Sequence, residues 1–256
     1  MKAETISPGF HHWHDLTASQ ISRVAAEAVV ILPIAATEQH GPHLATGTDT
    51  IIADTILQEL YDRAPATGTY LCLPTMAVGA SDHHVSFGGT LSLPPLLFCQ
   101  ILVAQIRCLA AQGHTRVLLF NSHGGNIAPM QTALAELAVE LHAKRAVAAG
   151  LSYWQLWSTI PGLEGRALSH ACEFETSIIY AARPDLPRNP PPEKSEWSDS
   201  VHEHCSLALP FSAITEKGVF GEPKVATAEK GQELVKRAAS CLREFLVEFS
   251  AYEPSQ

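Results

Sequence analysis

The stretch TEQHGPHLATGTDT, residues 37–50, packs one glutamate, two histidines and one aspartate into a short segment directly after an apolar run. Glu38 and His40, two apart on an extended strand end, point to the same side. Asp49 follows a loop carrying glycine and proline and opens a helix. Farther along, NSHGGN (121–126) offers His123 next to two glycines that let the backbone approach a ligand closely. A mixed set of carboxylates and imidazoles suits zinc, manganese or iron; calcium prefers all-oxygen shells. A further cluster, SHACEFETS (169–177), carries His170, Glu173 and Glu175 just before the apolar run SIIYAA. Acidic residues in a first helical turn also favour the helix dipole, so capping competes with chemistry here. His170 and Glu173 share a face if that turn is already wound, whereas Glu175 points elsewhere.

The elements that must position these groups alternate along the chain. VVILPIAA (29–36) is a continuous apolar run of strand length, the pattern of a strand buried on both faces. DTIIADTILQELYD (49–62) has helical spacing, with Thr48 or Asp49 as its expected cap. TYLCLPTMAVG predicts a second strand, RVLLFNSHGGN a third running into a loop, and AVAAGLSYWQLW a fourth. Between and after them, 18–27, LPPLLFCQILVAQIRCLAAQG, PMQTALAELAVELHAK, FETSIIYAARPDL and about 226–249 predict helices, with prolines opening the second of these and Gly113 closing it. Residues 183–198, rich in proline and charge, form an exposed excursion. The alternation predicts an α/β fold, a mainly parallel central sheet with helices on both faces in three αβα layers. Ligands in such folds sit outside the carboxyl ends of the strands. The polar segments 37–49, 81–90 and 121–126 each follow a predicted strand, so they are expected to converge.

Composition bounds the rest. The chain of 256 residues is 46% hydrophobic and 17% charged, as expected of one large globular domain spanning 1–256. A net charge of −9 argues against nucleic acid and anionic membranes as partners. Six scattered cysteines without a CxxC pair read as reduced, mostly buried thiols. The N-terminal MKAETISPGFHHWHDLT has no apolar signal core, and no run reaches membrane-spanning length, which points to a cytoplasmic protein. Thirteen histidines stand out against seventeen lysines and arginines. Of these, His11, His12 and His14 read as surface or subunit-contact residues. His202 and His204 receive no role.

TEQHGPHLATGTDT, SFGGTLSL (86–93), NSHGGN, HACEFETS and GVFGEPKVATAEKG together resemble the motifs of the creatininase family of metal-dependent amidohydrolases, over about residues 29–232. The resemblance implies a single creatininase-like domain with two divalent metals at the carboxyl ends of its sheet, zinc paired with manganese, iron or a second zinc. It implies that Glu38, Asp49 and His123 hold one metal and that His40, a bridging Asp49 and Glu175 hold the other. It also places a water between the metals as nucleophile and His170 at the family's catalytic histidine. It further implies a homo-oligomer, a hexamer in many members.

Departures from the family pattern bear on the substrate. Creatininase itself has a catalytic glutamate at the position of Gly125, and Glu173, close to His170, is the expected replacement. The tryptophan of creatininase that closes over creatinine has no counterpart in LEGRALSH, which carries Arg166 instead; Trp154 does match an aromatic of that enzyme. Arg166 could recognise a carboxylate or phosphate, or pair with Glu164 at the surface. Ser81 and His83, with His84 beside them, lie in a loop that lines the substrate side in the family; one histidine is expected to touch substrate and the other to be structural. The expected substrate is a small-molecule cyclic amide or formamide cleaved at a non-peptide C–N bond. The alternatives are peptidase-like cleavage of a small modified peptide in cofactor maturation, and a metal-binding relative without turnover.

Overall fold

A computed structural model describes residues 6–63, 67–159, 169–186, 189–195 and 207–253. Five strands are described: β1 (Gly9–His12), β2 (Val29–Ile34), β3 (Thr69–Cys72), β4 (Arg116–Asn121) and β5 (Val147–Ser152). They form one sheet in the order β1-β3-β2-β4-β5, and every pair runs parallel. Among the described residues six α-helices accompany them: α1 (Ala18–Val24), α2 (Thr48–Asp62), α3 (Pro95–Ala111), α4 (Ile127–Ala143), α5 (Glu173–Ala182) and α6 (Ala228–Ala251).

The central strands are apolar on both faces because helices cover both. Val29 and Ile31 of β2, with Leu118 and Phe120 of β4, pack with α2, α5 and α6 in one core. The alternate residues Val30, Leu32 and Ile34, with Val117 and Leu119, pack with α3 and α4 in the other. This two-residue alternation is the pleat of a strand, and it assigns each side chain to one layer of an αβα sandwich. None of the described helices is long and apolar enough to cross a membrane.

Two boundaries differ from the sequence reading. The predicted strand TYLCLPTMAVG pairs only through Cys72, and beyond it a single parallel bridge joins Ile34 to Met76. Pro74 has no N–H for the ladder, which ends regular pairing there. The AVAAGLSYWQLW run likewise leaves the sheet at Ser152 and turns into a 3₁₀ segment, Tyr153–Thr159. The edge strand β1 was not expected at all. GFHH is short and histidine-bearing, and its pairing with β3 comes from tertiary placement.

Side-chain amides tie the loops at the sheet's carboxyl end. Asn126 donates from Nδ2 to Ala35 O at 3.1 Å and accepts Ala80 N–H on Oδ1 at 2.9 Å, linking the segments after β2 and β3. Asn121 accepts the His123 N–H at 3.0 Å and donates to His123 O at 2.8 Å and to Ser152 Oγ at 3.0 Å. Both asparagines are fully buried, so removing them leaves unpaired groups in a low dielectric. Asn126→Leu is expected to cost about 1–3 kcal/mol in urea denaturation. A loss indistinguishable from zero would mean that the two loops are held by something else.

Candidate metal centre

The expected groups meet at the carboxyl ends of β2 and β4. Glu38, His40, Asp49, His123 and Glu175 are each at most 3% exposed. Hydrogen bonds on the far side of each imidazole settle which nitrogen faces inward. His40 Nδ1 lies 3.2 Å from Glu38 O, a carbonyl that only accepts, so Nδ1 carries the proton. Its Nε2 lone pair then faces Asp49 Oδ1 at 3.2 Å and Glu175 Oε2 at 4.0 Å. His123 Nε2 donates toward Ala80 O at 3.2 Å and Ser81 Oγ at 3.1 Å. Its Nδ1 lone pair faces Glu38 Oε1 and Asp49 Oδ2, each at 3.2 Å. Asp49 thus presents one oxygen to each histidine.

Lone pairs opposed to carboxylate oxygens at such distances repel unless a positive charge lies between them. Both oxygens of Glu38, Oδ2 of Asp49 and Nε2 of His40 also have no aligned hydrogen-bond partner. Buried carboxylates left this way are costly. The donor set therefore fits divalent cations. Ligand atoms of His40, Asp49 and Glu175 lie within 4.8 Å of one another, as do those of Glu38, His83 and His123, and those of Glu38, His40 and His170.

Without a metal the cluster has only protons with which to answer this charge. Burial opposes a charge on His40, yet Asp49, Glu175 and Glu38 outweigh it and raise it to about 9. His123 is held well above its ordinary value against the same burial, by Glu38 and Asp49. Burial pushes Glu175 up to about 7, while His40 beside Asp49 overrides burial and lowers that carboxyl to about 2. Burial, then the neighbouring His40 and His84, holds His170 well below the usual range, in its neutral form.

The second cluster differs from its sequence reading. α5 begins at Glu173, with Cys172 as N-cap, so His170 precedes the helix and shares no helical face with Glu173. Glu175, in the first turn, reaches back to accept the Ala171 N–H at 2.5 Å. Ala171 has φ +52°, a left-handed conformation that costs an alanine about 1–3 kcal/mol and here aims its N–H at that carboxylate. His170 Nε2 donates to Gln39 O at 2.8 Å, leaving Nδ1 3.6 Å from Glu38 Oε1.

Glu173, expected to replace the missing acid, is elsewhere. Its Oε1 accepts from Lys230 Nζ of α6, and it does not line the cavity at the cluster. The physical reason is helical phase: two residues from Glu175, it turns toward α6. Ser81 also departs from its expected contact with substrate; it is fully buried with its hydroxyl on His123. Asp49 and Thr48 do not cap α2. Gly47 occupies that position and the Asp49 carboxylate turns to the histidines. Arg166, with Glu164, lies outside the described residues.

A cavity of about 290 Å³ opens onto the cluster. Trp154, Phe211, Phe220 and Ile127 form apolar wall, and Glu38, Asp49, Glu175, His83, His123 and His170 face it. At Gly125 a Cβ would lie 2.1 Å from Ala80 O, 2.5 Å from His123 Nε2 and 2.8 Å from His83 Cε1. The first of these is backbone, so no side chain fits there, and the position expected to hold a glutamate in creatininase itself is closed in this chain.

Gln39 was missed in the sequence. It is buried between Glu38 and His40, and its Oε1 accepts the Gly41 N–H at 2.9 Å, which fixes the amide orientation. Its Nε2 donates to His84 Nδ1 at 2.8 Å. A Cβ on Gly218 would meet Gln39 Oε1 at 2.0 Å, and Gly218 has φ +65°. The motif GVFGEP therefore packs its first glycine against this amide. A polar residue between two candidate ligands was the available signal.

The creatininase (creatinine amidohydrolase) family model matches residues 14–246. Creatinine amidohydrolase of Pseudomonas putida is 31% identical over 243 residues, covering 84% of this chain and 87% of that protein. The mycofactocin precursor peptide peptidase of Mycobacterium tuberculosis is 29% identical over 230 residues, covering 85% and 83%. The crystal structure of a creatinine amidohydrolase superimposes with a TM-score of 0.79 over 95% of this chain and 98% of the other, at 22% identity, a likeness of fold. Motifs, fold and family match agree: the chain belongs to the creatininase family of metal-dependent amidohydrolases.

Proposed function

We propose that the chain hydrolyses a non-peptide C–N bond of a small cyclic amide or formamide at a binuclear divalent-metal centre. The observation that carries this reading is that the inward nitrogens of two buried imidazoles, His40 Nε2 and His123 Nδ1, each face an oxygen of Asp49 at 3.2 Å. Glu38, Asp49 and His123 would hold one ion and His40, Asp49 and Glu175 the other. The mixed N and O donors suit zinc, with manganese, iron or a second zinc as partner. When bound, such a pair supplies an acidified water and polarises the amide carbonyl.

The chain's own residues do the rest. His170 faces the cavity with its Nε2 proton committed to Gln39 O. Its Nδ1 is the atom that takes a proton from the attacking water and passes it to the leaving nitrogen. Trp154, Phe211 and Phe220 exclude water from one side and hold the apolar part of the substrate. Glu173, paired with Lys230, supports the packing of α5 on α6 and takes no part in proton transfer. Residues 1–256 act as one cytoplasmic domain, which the family resemblance extends to a hexamer.

A second reading, cleavage of a small modified peptide, draws on the M. tuberculosis relative, named as a precursor peptide peptidase. A screen of cyclic amides, formamides and short peptides with added zinc or manganese separates the two. The first reading expects turnover of the small amides. Turnover of peptides alone supports the second, and two bound metals with no turnover in the screen leave a binding protein.

Three variants test the site. Asp49→Ala is expected to empty both metal positions in elemental analysis, whereas His40→Ala mainly weakens one. Two full sites in the Asp49 variant defeat the bridge. His170→Ala should lower kcat by about 10²–10⁴ with the metals retained; loss of one metal would make His170 a ligand. Glu173→Gln should keep both metals and most of the activity, and an inactive variant with full metal content would return Glu173 to the chemistry.

A further inference from the structure

Two adjacent histidines, His83 and His84, sit on the 3₁₀ segment Asp82–Phe87 above the cluster. Hydrogen bonding separates them. His84 Nδ1 accepts from the Gln39 amide at 2.8 Å, so its Nε2 carries the proton and points at Glu38 Oε1, 3.5 Å away. A nitrogen bearing a proton has no lone pair for a metal. His84 is also closed in by the rings of His170 and Phe211, at centroid distances of 4.3 and 4.5 Å. With its proton on the Glu38 side and no aligned hydrogen bond to that carboxylate, it is not a ligand.

His83 is placed differently. Its ring lies nearly parallel to that of His123, at a centroid distance of 5.8 Å and an interplanar angle of 19°. A ring nitrogen of His83, a ring nitrogen of His123 and a carboxylate oxygen of Glu38 fall within 4.8 Å of one another. The space between His83 and His123 is kept open by Gly125, where a Cβ would come within 2.8 Å of His83 Cε1. With no side chain possible at 125, His83 is the group that reaches this flank of the cluster, and it lines the cavity.

We infer that His83 is a metal ligand, completing the Glu38/His123 side of the centre. This rests on the binuclear reading above and deepens it. The Glu38 side then has four protein donors, Glu38, His83, His123 and Asp49, and the His40 side three. For a four-coordinate zinc a set of four is closed, while a set of three keeps a position open for water or substrate. The exchangeable position therefore lies on the side of His40, Asp49 and Glu175, next to His170, whose ring centroid is 4.4 Å from that of His40.

The test uses the full chain stripped of metal and titrated with Co²⁺ alone, followed by the cobalt d–d absorption and by competition with a chelator. The unaltered chain is expected to take up two ions. His83→Ala should weaken one of them by at least about tenfold and change its absorption, leaving the other unaltered. Free imidazole added to His83→Gly should restore the band. Val85→Ala, an exposed position on the same segment, should behave like the unaltered chain, and circular dichroism checks that each variant is folded. Two ions bound by a folded His83→Ala with unchanged affinity and spectrum overturn the inference and leave the binuclear reading standing. No cobalt uptake by the unaltered chain overturns both.

Discussion

Two imidazoles whose inward nitrogens face carboxylate oxygens, deep in the protein, form the arrangement on which the rest of the structure depends. His40 and His123 meet the two oxygens of Asp49 at 3.2 Å, in a place where every member of the cluster is buried. In a low dielectric this repulsion is large, and only protons or cations relieve it. The surrounding fold holds the groups in that geometry. Carbonyls of Glu38 and Ala80 orient the rings from behind, and Asn121 and Asn126 tie together the loops that carry them.

Close approach is the second constraint. Gly125 and Gly218 each stand where a single carbon more would collide, one with the Ala80 carbonyl and His123, the other with the Gln39 amide. The absence of a glutamate at Gly125 is thus more than a substitution in a motif. The space such a side chain would enter is taken up by Ala80 O, His123 and His83. Proton handling in the proposed reading falls to His170, and Glu173 is drawn instead to Lys230 by the phase of α5.

The cavity joins this charged floor to an aromatic wall, Trp154, Phe211 and Phe220. Phe211 and Phe220 come from the segment after residue 207, far along the chain from the strand ends. Phe220 is brought in by pairing with His170, its N–H donating to His170 O at 2.8 Å. The same late segment supplies Gly218. One stretch of chain therefore closes the cavity, seats Gln39 and holds His170, which couples the wall to the proton carrier.

Much was legible before any fold was known. Apolar runs at 29–36 and 117–120 announced buried strands, and those runs lie in β2 and β4 with their alternate residues in opposite layers. Because polar residues directly after such strands must gather at one edge of a parallel sheet, the convergence of Glu38, His40, Asp49 and His123 followed from order along the chain. What spacing did not carry was direction. Whether Glu173 or Glu175 faced inward depended on where α5 begins; whether His83 or His84 was free depended on an amide from a different loop; and whether Ser81 met substrate or His123 depended on the path of the backbone after β3. Local sequence dictates periodicity and residue type, but the pointing of a side chain is set by partners distant in sequence, and only the tertiary structure brings those partners together.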